Sequence, residues 1–213
     1  VKTGWEIVGQ DKHPIGTTDY SAALSDCKKS GAQVMFIWAY SPETSILLKQ
    51  WADMEVPALP IGFIGAAEDP GFWEATNGKC EYTVVTLSET GNVPTDATPK
   101  AMPFYNAFKE RWGVPPRSTG CVSGYESLYV LKDAIERADS LEEADLIKAL
   151  EATNLPMVRG TIRFDENHQI VYGYDPSEAV LGCWVQWQDG KRVQIFPDVA
   201  AMGKLEMPPW LNK

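Results

Sequence analysis

Runs of apolar residues alternate with amphipathic stretches along the first ninety positions of the chain. Val34 to Ala39 and Ala58 to Ile64 are nearly unbroken apolar segments, and Tyr82 to Leu87 is a third. Segments of this length and continuity predict β-strands covered on both faces. Ahead of the first run, and between the first and the second, the period changes. Tyr20 to Ser30 carries Ala23, Leu24 and Cys27 on one stripe, with Thr18-Asp19 ahead of it as a helix-starting signal and Gly31 as a stop. Ile46, Leu47, Gln50, Trp51 and Met54 repeat at helical spacing behind Ser41-Pro42-Glu43, where Ser41 caps, Pro42 suits the first turn and Glu43 complements the helix dipole. A short extended run, Glu6 to Val8, precedes this block. With that run counted first, the order strand, helix, strand, helix, strand requires crossover connections and predicts an α/β fold built on a parallel sheet with helices on both faces.

The pattern then shifts. Residues 88–100 form a polar loop rich in Thr and Pro, and Pro103 to Trp112 reads as a helix. Gly113 to Gly120, with Pro115-Pro116, is a breaker segment and the expected lobe boundary. Val122 to Ala138 predicts an amphipathic helix with Tyr125, Leu128, Tyr129 and Ile135 on its apolar side. Ser140 caps a further helix reaching Ala149. Gly160 to Phe164 and Ala179 to Trp187 read as extended, and Asp189-Gly190 is a hairpin turn before Arg192 to Phe196. This second part has helices with apolar faces and too few strands to pack them on.

Composition narrows the function classes. The 213 residues carry a net charge of −10, with the acidic excess in both halves, so no basic arm is present to neutralise phosphates. Nucleic acid and anionic membrane are therefore poor partners. No apolar run approaches a bilayer span, and the chain reads as a soluble piece, processed or excised from something longer. Cys27, Cys80, Cys121 and Cys183 show no Cys-x-x-Cys spacing, so buried thiols and one or two disulfides both remain open. Asp165-Glu166-Asn167-His168 reads as a polar turn rather than a metal centre, because adjacent residues rarely converge on one cation. No nucleophile elbow, phosphate loop, dinucleotide fingerprint or Cys–His pair supports an enzyme, and no cofactor is expected. Gly62-Phe63-Ile64-Gly65 is a tight exit from a strand.

The candidate chemistry is aromatic. Trp38 and Tyr40 follow the first apolar strand, Phe63 ends the second, and Phe72 and Trp73 lie in the loop beyond. Rings at the carboxyl edge of a parallel sheet line the crevice where such folds bind small ligands. Glu68 and Asp69 share that loop, and Glu68 is placed to answer a ligand cation.

The order of landmarks resembles the type I periplasmic solute-binding proteins, and within them the branched-chain amino acid (Leu/Ile/Val-type) receptors of ABC transporters. The resemblance rests on Gly4-Trp5-Glu6-Ile7-Val8, Gly16-Thr17-Thr18-Asp19-Tyr20-Ser21, Ser30-Gly31-Ala32-Gln33-Val34, the stretch from Tyr40 to Trp51, the Tyr125 helix ending Asp133-Ala134-Ile135, and Gly160-Thr161-Ile162-Arg163-Phe164-Asp165. It implies that residues 1–117 form the second ligand-binding lobe without its first strand and helix, 118–165 first-lobe helices and a strand, and 166–213 hinge-return strands and a tail. It further implies that the N-terminal half of the same protein is missing and acts as a partner, with an ABC permease as the other. Tyr40 and Ser41 fall where the family places ligand contacts, and Tyr125 is a cleft wall. Ile64 stands where amino acid receptors tend to carry an acid for the α-amino group. The implied role is a non-enzymatic, extracytoplasmic (periplasmic or extracellular) component of an ABC importer, capturing a hydrophobic amino acid or a related organic acid or amide between two lobes. The alternative is a ligand-sensing domain of a signalling or regulatory protein with the same fold.

Overall fold

The computed structural model describes residues 4–87, 90–117 and 120–211. The elements are α1 (Ser21–Ser30), β1 (Val34–Ala39), α2 (Thr44–Asp53), β2 (Leu59–Ile64), a 3-10 turn (Gly65–Glu68), α3 (Phe72–Thr76) and β3 (Val84–Leu87). They are followed by α4 (Ala101–Trp112), α5 (Cys121–Ala138), α6 (Glu143–Glu151), β4 (Leu155–Pro156), β5 (Thr161–Ile162), β6 (Cys183–Gln188), β7 (Lys191–Phe196) and a last 3-10 turn (Asp198–Ala200). β1 pairs in parallel with β2, and β2 with β3, as the crossover reading requires. The sheet order is β1-β2-β3-β6-β7, and β4 and β5 form a separate antiparallel pair.

The chain divides into two compact units. The first comprises Val1–Val85, Gln186–Arg192 and Leu205–Lys213, the second Thr86–Val185 and Val193–Lys204. β3, β6 and β7 each begin in one unit and finish in the other. The passage into the second unit comes at Val85–Thr86, earlier than the Pro115–Gly120 segment that the composition suggests. Helix α4 explains the difference, because Ala101 and Phe104 pack with Val122 and Val158 of the second unit.

In the first unit, Tyr20, Leu24, Trp51, Val56 and Ala58 form a core that draws in Tyr82 and Trp210. The indole N–H of Trp51 donates to the Ala58 carbonyl at 2.8 Å, so even the largest buried ring leaves its polar atom satisfied. Close approach of β1 and β2 depends on Gly62. Its φ is +147°, and a Cβ there would lie 2.0 Å from the Ile37 carbonyl oxygen.

Several expectations for this unit differ: Phe72 and Trp73 open helix α3 instead of lying in a loop, and α2 starts at Thr44 without a Ser41 side-chain cap. Glu6–Val8 stays outside any strand, with Trp5 73% and Ile7 87% exposed. A lone extended run has no ladder to join, and the described residues offer it none. β1 sits at the end of the sheet order and is covered on one face only, leaving Phe36 and Trp38 63% and 78% exposed. An unbroken apolar run cannot by itself distinguish two covered faces from one.

In the second unit, α5 buries Val122, Glu126, Val130 and Ala134. The expected apolar stripe of Tyr125, Leu128 and Tyr129 is instead exposed. Glu126 turns the helix. Its carboxylate accepts the Arg159 Nε–H at 2.5 Å and the Arg159 backbone N–H at 2.8 Å, with both side chains buried. A buried charge is tolerated only when paired and hydrogen-bonded, and this one is.

Candidate aromatic ligand site at the strand ends

The parallel register brings the carboxyl ends of β1 and β2 side by side, with Trp38 opposite Phe63 and Ala39 opposite Ile64. Three of the sequence-nominated residues meet there. The Trp38 and Phe63 rings are 5.4 Å apart between centroids, and Tyr40 stacks on Phe63 at 6.0 Å with 21° between planes. Offset and tilted arrangements at these distances are the ones that aromatic quadrupoles favour. Tyr40 is 79% exposed and Phe63 half-buried, so the cluster is a surface feature seated on the sheet edge.

Glycine holds Tyr40 in place. A Cβ at Gly65 would lie 2.7 Å from Tyr40 Cδ2, so the ring rests against a backbone that only glycine leaves open. Ser41 begins the turn into α2. Its carbonyl accepts the Thr44 N–H at 3.3 Å and the Thr44 hydroxyl at 2.8 Å.

The other nominated residues go elsewhere. Ile64 is fully buried beneath the rim, because side chains alternate along β2 and Phe63 takes the outer face. Glu68 is also buried, on the Gly65–Glu68 turn. Its backbone carbonyl accepts from Arg192 Nη1, and the neighbouring Ala67 carbonyl accepts the Trp187 indole N–H at 3.0 Å. Phe72 and Trp73 are drawn toward the same Trp187, at 6.4 and 6.2 Å, rather than to the rim. Tyr125 belongs to the second unit, where it contacts Phe104 at 5.0 Å and Tyr129 at 4.8 Å. Burial first, then the neighbouring Tyr129 hydroxyl and the Glu126 charge, push its phenol above the ordinary value, so it acts as a neutral hydrogen-bonding ring.

Trp187 and Arg192, which pin the turn behind the rim, are not recognisable in the sequence as site-positioning residues. They lie about 120 residues beyond it, and only pairing of the tail strands brings them there. Gly65 is half-legible: the Gly-x-x-Gly exit is visible, its contact with Tyr40 is not.

For metal chemistry the described residues hold no group of three His, Cys, Asp or Glu side chains placed to share an ion. Asp165 Oδ1 accepts the N–H groups of Asn167 and Gln169 at 2.8 and 2.9 Å, closing a polar turn. None of the four cysteines is in a disulfide. What the rim can do is stack on a flat or apolar group and offer the Tyr40 hydroxyl.

A family model described as periplasmic binding protein matches residues 1–179. This chain belongs to that family. Among curated relatives, Leu/Ile/Val-binding protein homolog 7 of Brucella melitensis is 26% identical over 216 residues, covering 97% of this chain and 52% of its own length. Among solved structures, a putative branched-chain amino acid ABC transporter from Silicibacter pomeroyi superimposes with a TM-score of 0.79 at 20% identity, over 92% of this chain and 52% of that one. A leucine-binding protein from Thermotoga maritima gives 0.64 at 24% identity, over 84% of this chain and 48% of that one. The chain thus spans about half the length of the relatives it matches. The fold is that of type I periplasmic binding proteins, and the family and its neighbours are binding proteins rather than enzymes. Family membership implies an extracytoplasmic place of action. Among the described residues no helix is long and apolar enough to cross a membrane.

Proposed function

We propose that this periplasmic binding protein chain supplies the second ligand-binding lobe of an extracytoplasmic receptor that delivers a small organic solute to an ABC permease. The ligand class is a hydrophobic amino acid or a related organic acid or amide. The observation that carries the reading is the Trp38–Phe63–Tyr40 cluster, exposed at the carboxyl edge of the parallel sheet. Capture would close a first lobe, supplied mostly by the remaining length of the relatives, over this rim. Trp38, Tyr40 and Phe63 take the apolar part of the ligand, and Ser41 edges the same rim. Ile64 supports the rim from beneath. Glu68, the acid nominated to answer a ligand cation, is buried behind the rim, which favours ligands whose binding energy comes from the apolar part rather than from an ammonium group.

The test is a thermal-shift screen of the protein against leucine, glycine, and aliphatic and aromatic acids and amides. A ligand that binds only the folded state raises the melting temperature in proportion to RT ln(1 + [L]/Kd). The reading expects apolar acids or amides to raise it more than glycine. Silence across all these classes at millimolar concentration sinks the proposal.

A further inference from the structure

A concavity lies within the second unit, on residues that the rim does not use. It is a cavity of about 360 Å3 with Thr86, Tyr172, Tyr174, Cys183, Trp184 and Phe196 among its walls. That volume falls at the lower end of the range of small-molecule sites, roughly 300–1,000 Å3. Its floor is buried, with Leu87 fully covered and Cys183 2% exposed, while Tyr172, Tyr174 and Phe196 stand at the mouth, 54%, 72% and 40% exposed. Tyr174 and Phe196 meet edge to face at 5.8 Å and 78°, an arrangement that aromatic quadrupoles favour.

The walls define the guest. Among the described residues, four of the walls are aromatic and none carries a charge. These walls offer an ion no counter-charge for the hydration it gives up, which favours a neutral guest. Thr86, Tyr172 and Tyr174 bring side-chain hydroxyls to the lining, which suit a neutral group that donates or accepts one or two hydrogen bonds.

We propose that this cavity is a binding site for an uncharged planar aromatic molecule of one or two rings, held by stacking against Tyr174, Trp184 and Phe196. Its lining shares no residue with the rim on the first unit. The site is built where β3, β6 and β7 continue into the second unit: Thr86 and Leu87 end β3, Cys183 and Trp184 open β6, and Phe196 closes β7.

Benzamide and benzoate share a ring and differ in charge, and they are the probes. In two-dimensional NMR spectra of the protein, benzamide shifts the Trp184 indole N–H signal saturably, with an affinity about tenfold or more above that of benzoate. The signal is assigned with Trp184→Phe. Gly182 has an ordinary backbone conformation, and a Cβ there would meet the Tyr172 ring at 3.7 Å. Gly182→Leu therefore fills the cavity without backbone strain, and Tyr174→Ala removes an exposed wall. Each weakens the Trp184 response at least fivefold while the dispersion of the other amide signals is kept. Tyr40→Ala, on the rim, leaves it unchanged. A Trp184 signal that does not move, that follows benzoate equally, or that is untouched by both cavity variants overturns the site. Movement confined to the Trp38 indole would do the same, while leaving the rim reading intact.

Discussion

Two aromatic surfaces of this protein look alike in the sequence and differ in construction. At the ends of β1 and β2, Trp38, Tyr40 and Phe63 stand on neighbouring parallel strands, with Trp38 and Phe63 in direct register and Tyr40 lying against Gly65. On α5, Tyr125, Leu128 and Tyr129 project from the side of a helix whose opposite stripe is the buried one. The strand-end rings are oriented by backbone that is itself fixed on several sides, including the Trp187 and Arg192 hydrogen bonds behind the turn. The helix rings touch one another and Phe104 and are otherwise exposed. A row of rings becomes a credible ligand site when the backbone beneath it is over-determined, because a preorganised surface loses less entropy on binding.

The largest effect expected from breaking this contrast lies under the helix. Glu126→Ala leaves Arg159 buried without its partner and should cost about 3–5 kcal/mol, read from urea unfolding of the protein. A loss under about 1 kcal/mol would mean that Glu126 does not orient α5. Next comes Tyr40→Ala, which should weaken ligand binding by about 1–3 kcal/mol in calorimetry. Its effect on stability should stay within about 0.5 kcal/mol, since the ring is mostly exposed. Unchanged affinity removes Tyr40 from the site.

Thiol labelling separates the two units more finely. Burial pushes the Cys80 thiol of the first unit up to about 12, whereas Cys121, at the start of α5, is half-buried. At pH 8 a thiol of that pKa is thiolate in roughly one molecule in ten thousand. Cys121 should therefore react with a disulfide reagent well before Cys80, which should wait for unfolding; reaction of both at one rate in the folded protein contradicts the burial. Smallest of all is Leu128→Ser on the exposed α5 face, expected to change stability by about 0.5 kcal/mol or less. A loss above about 1.5 kcal/mol would show that this face is packed in solution.

How legible each feature was depended on how local its cause is. β1, β2 and β3 announce themselves through apolar runs, and the helix between β1 and β2 makes those two parallel, whereas α3, between β2 and β3, reads as a loop in the sequence. The Trp38, Tyr40 and Phe63 positions follow from that pairing. The orientation of α5 did not, because Glu126 reads as a solvent-facing residue until Arg159, 33 positions later, is known to meet it. Ile64 and Phe63 are adjacent apolar residues, and only the sheet decides which one faces outward. Glu6–Val8 has the composition of a strand and lacks a neighbour to make it one.

The amino-acid sequence by itself determined the class of fold, the succession of its elements and the aromatic character of the strand ends, since periodicity and side-chain type are local properties of the chain. The tertiary structure alone decided which faces are covered, which charges meet and where one unit passes into the next. Those outcomes depend on contacts between residues tens to more than a hundred positions apart, and the free energy of such a contact exists only once both partners have been brought together.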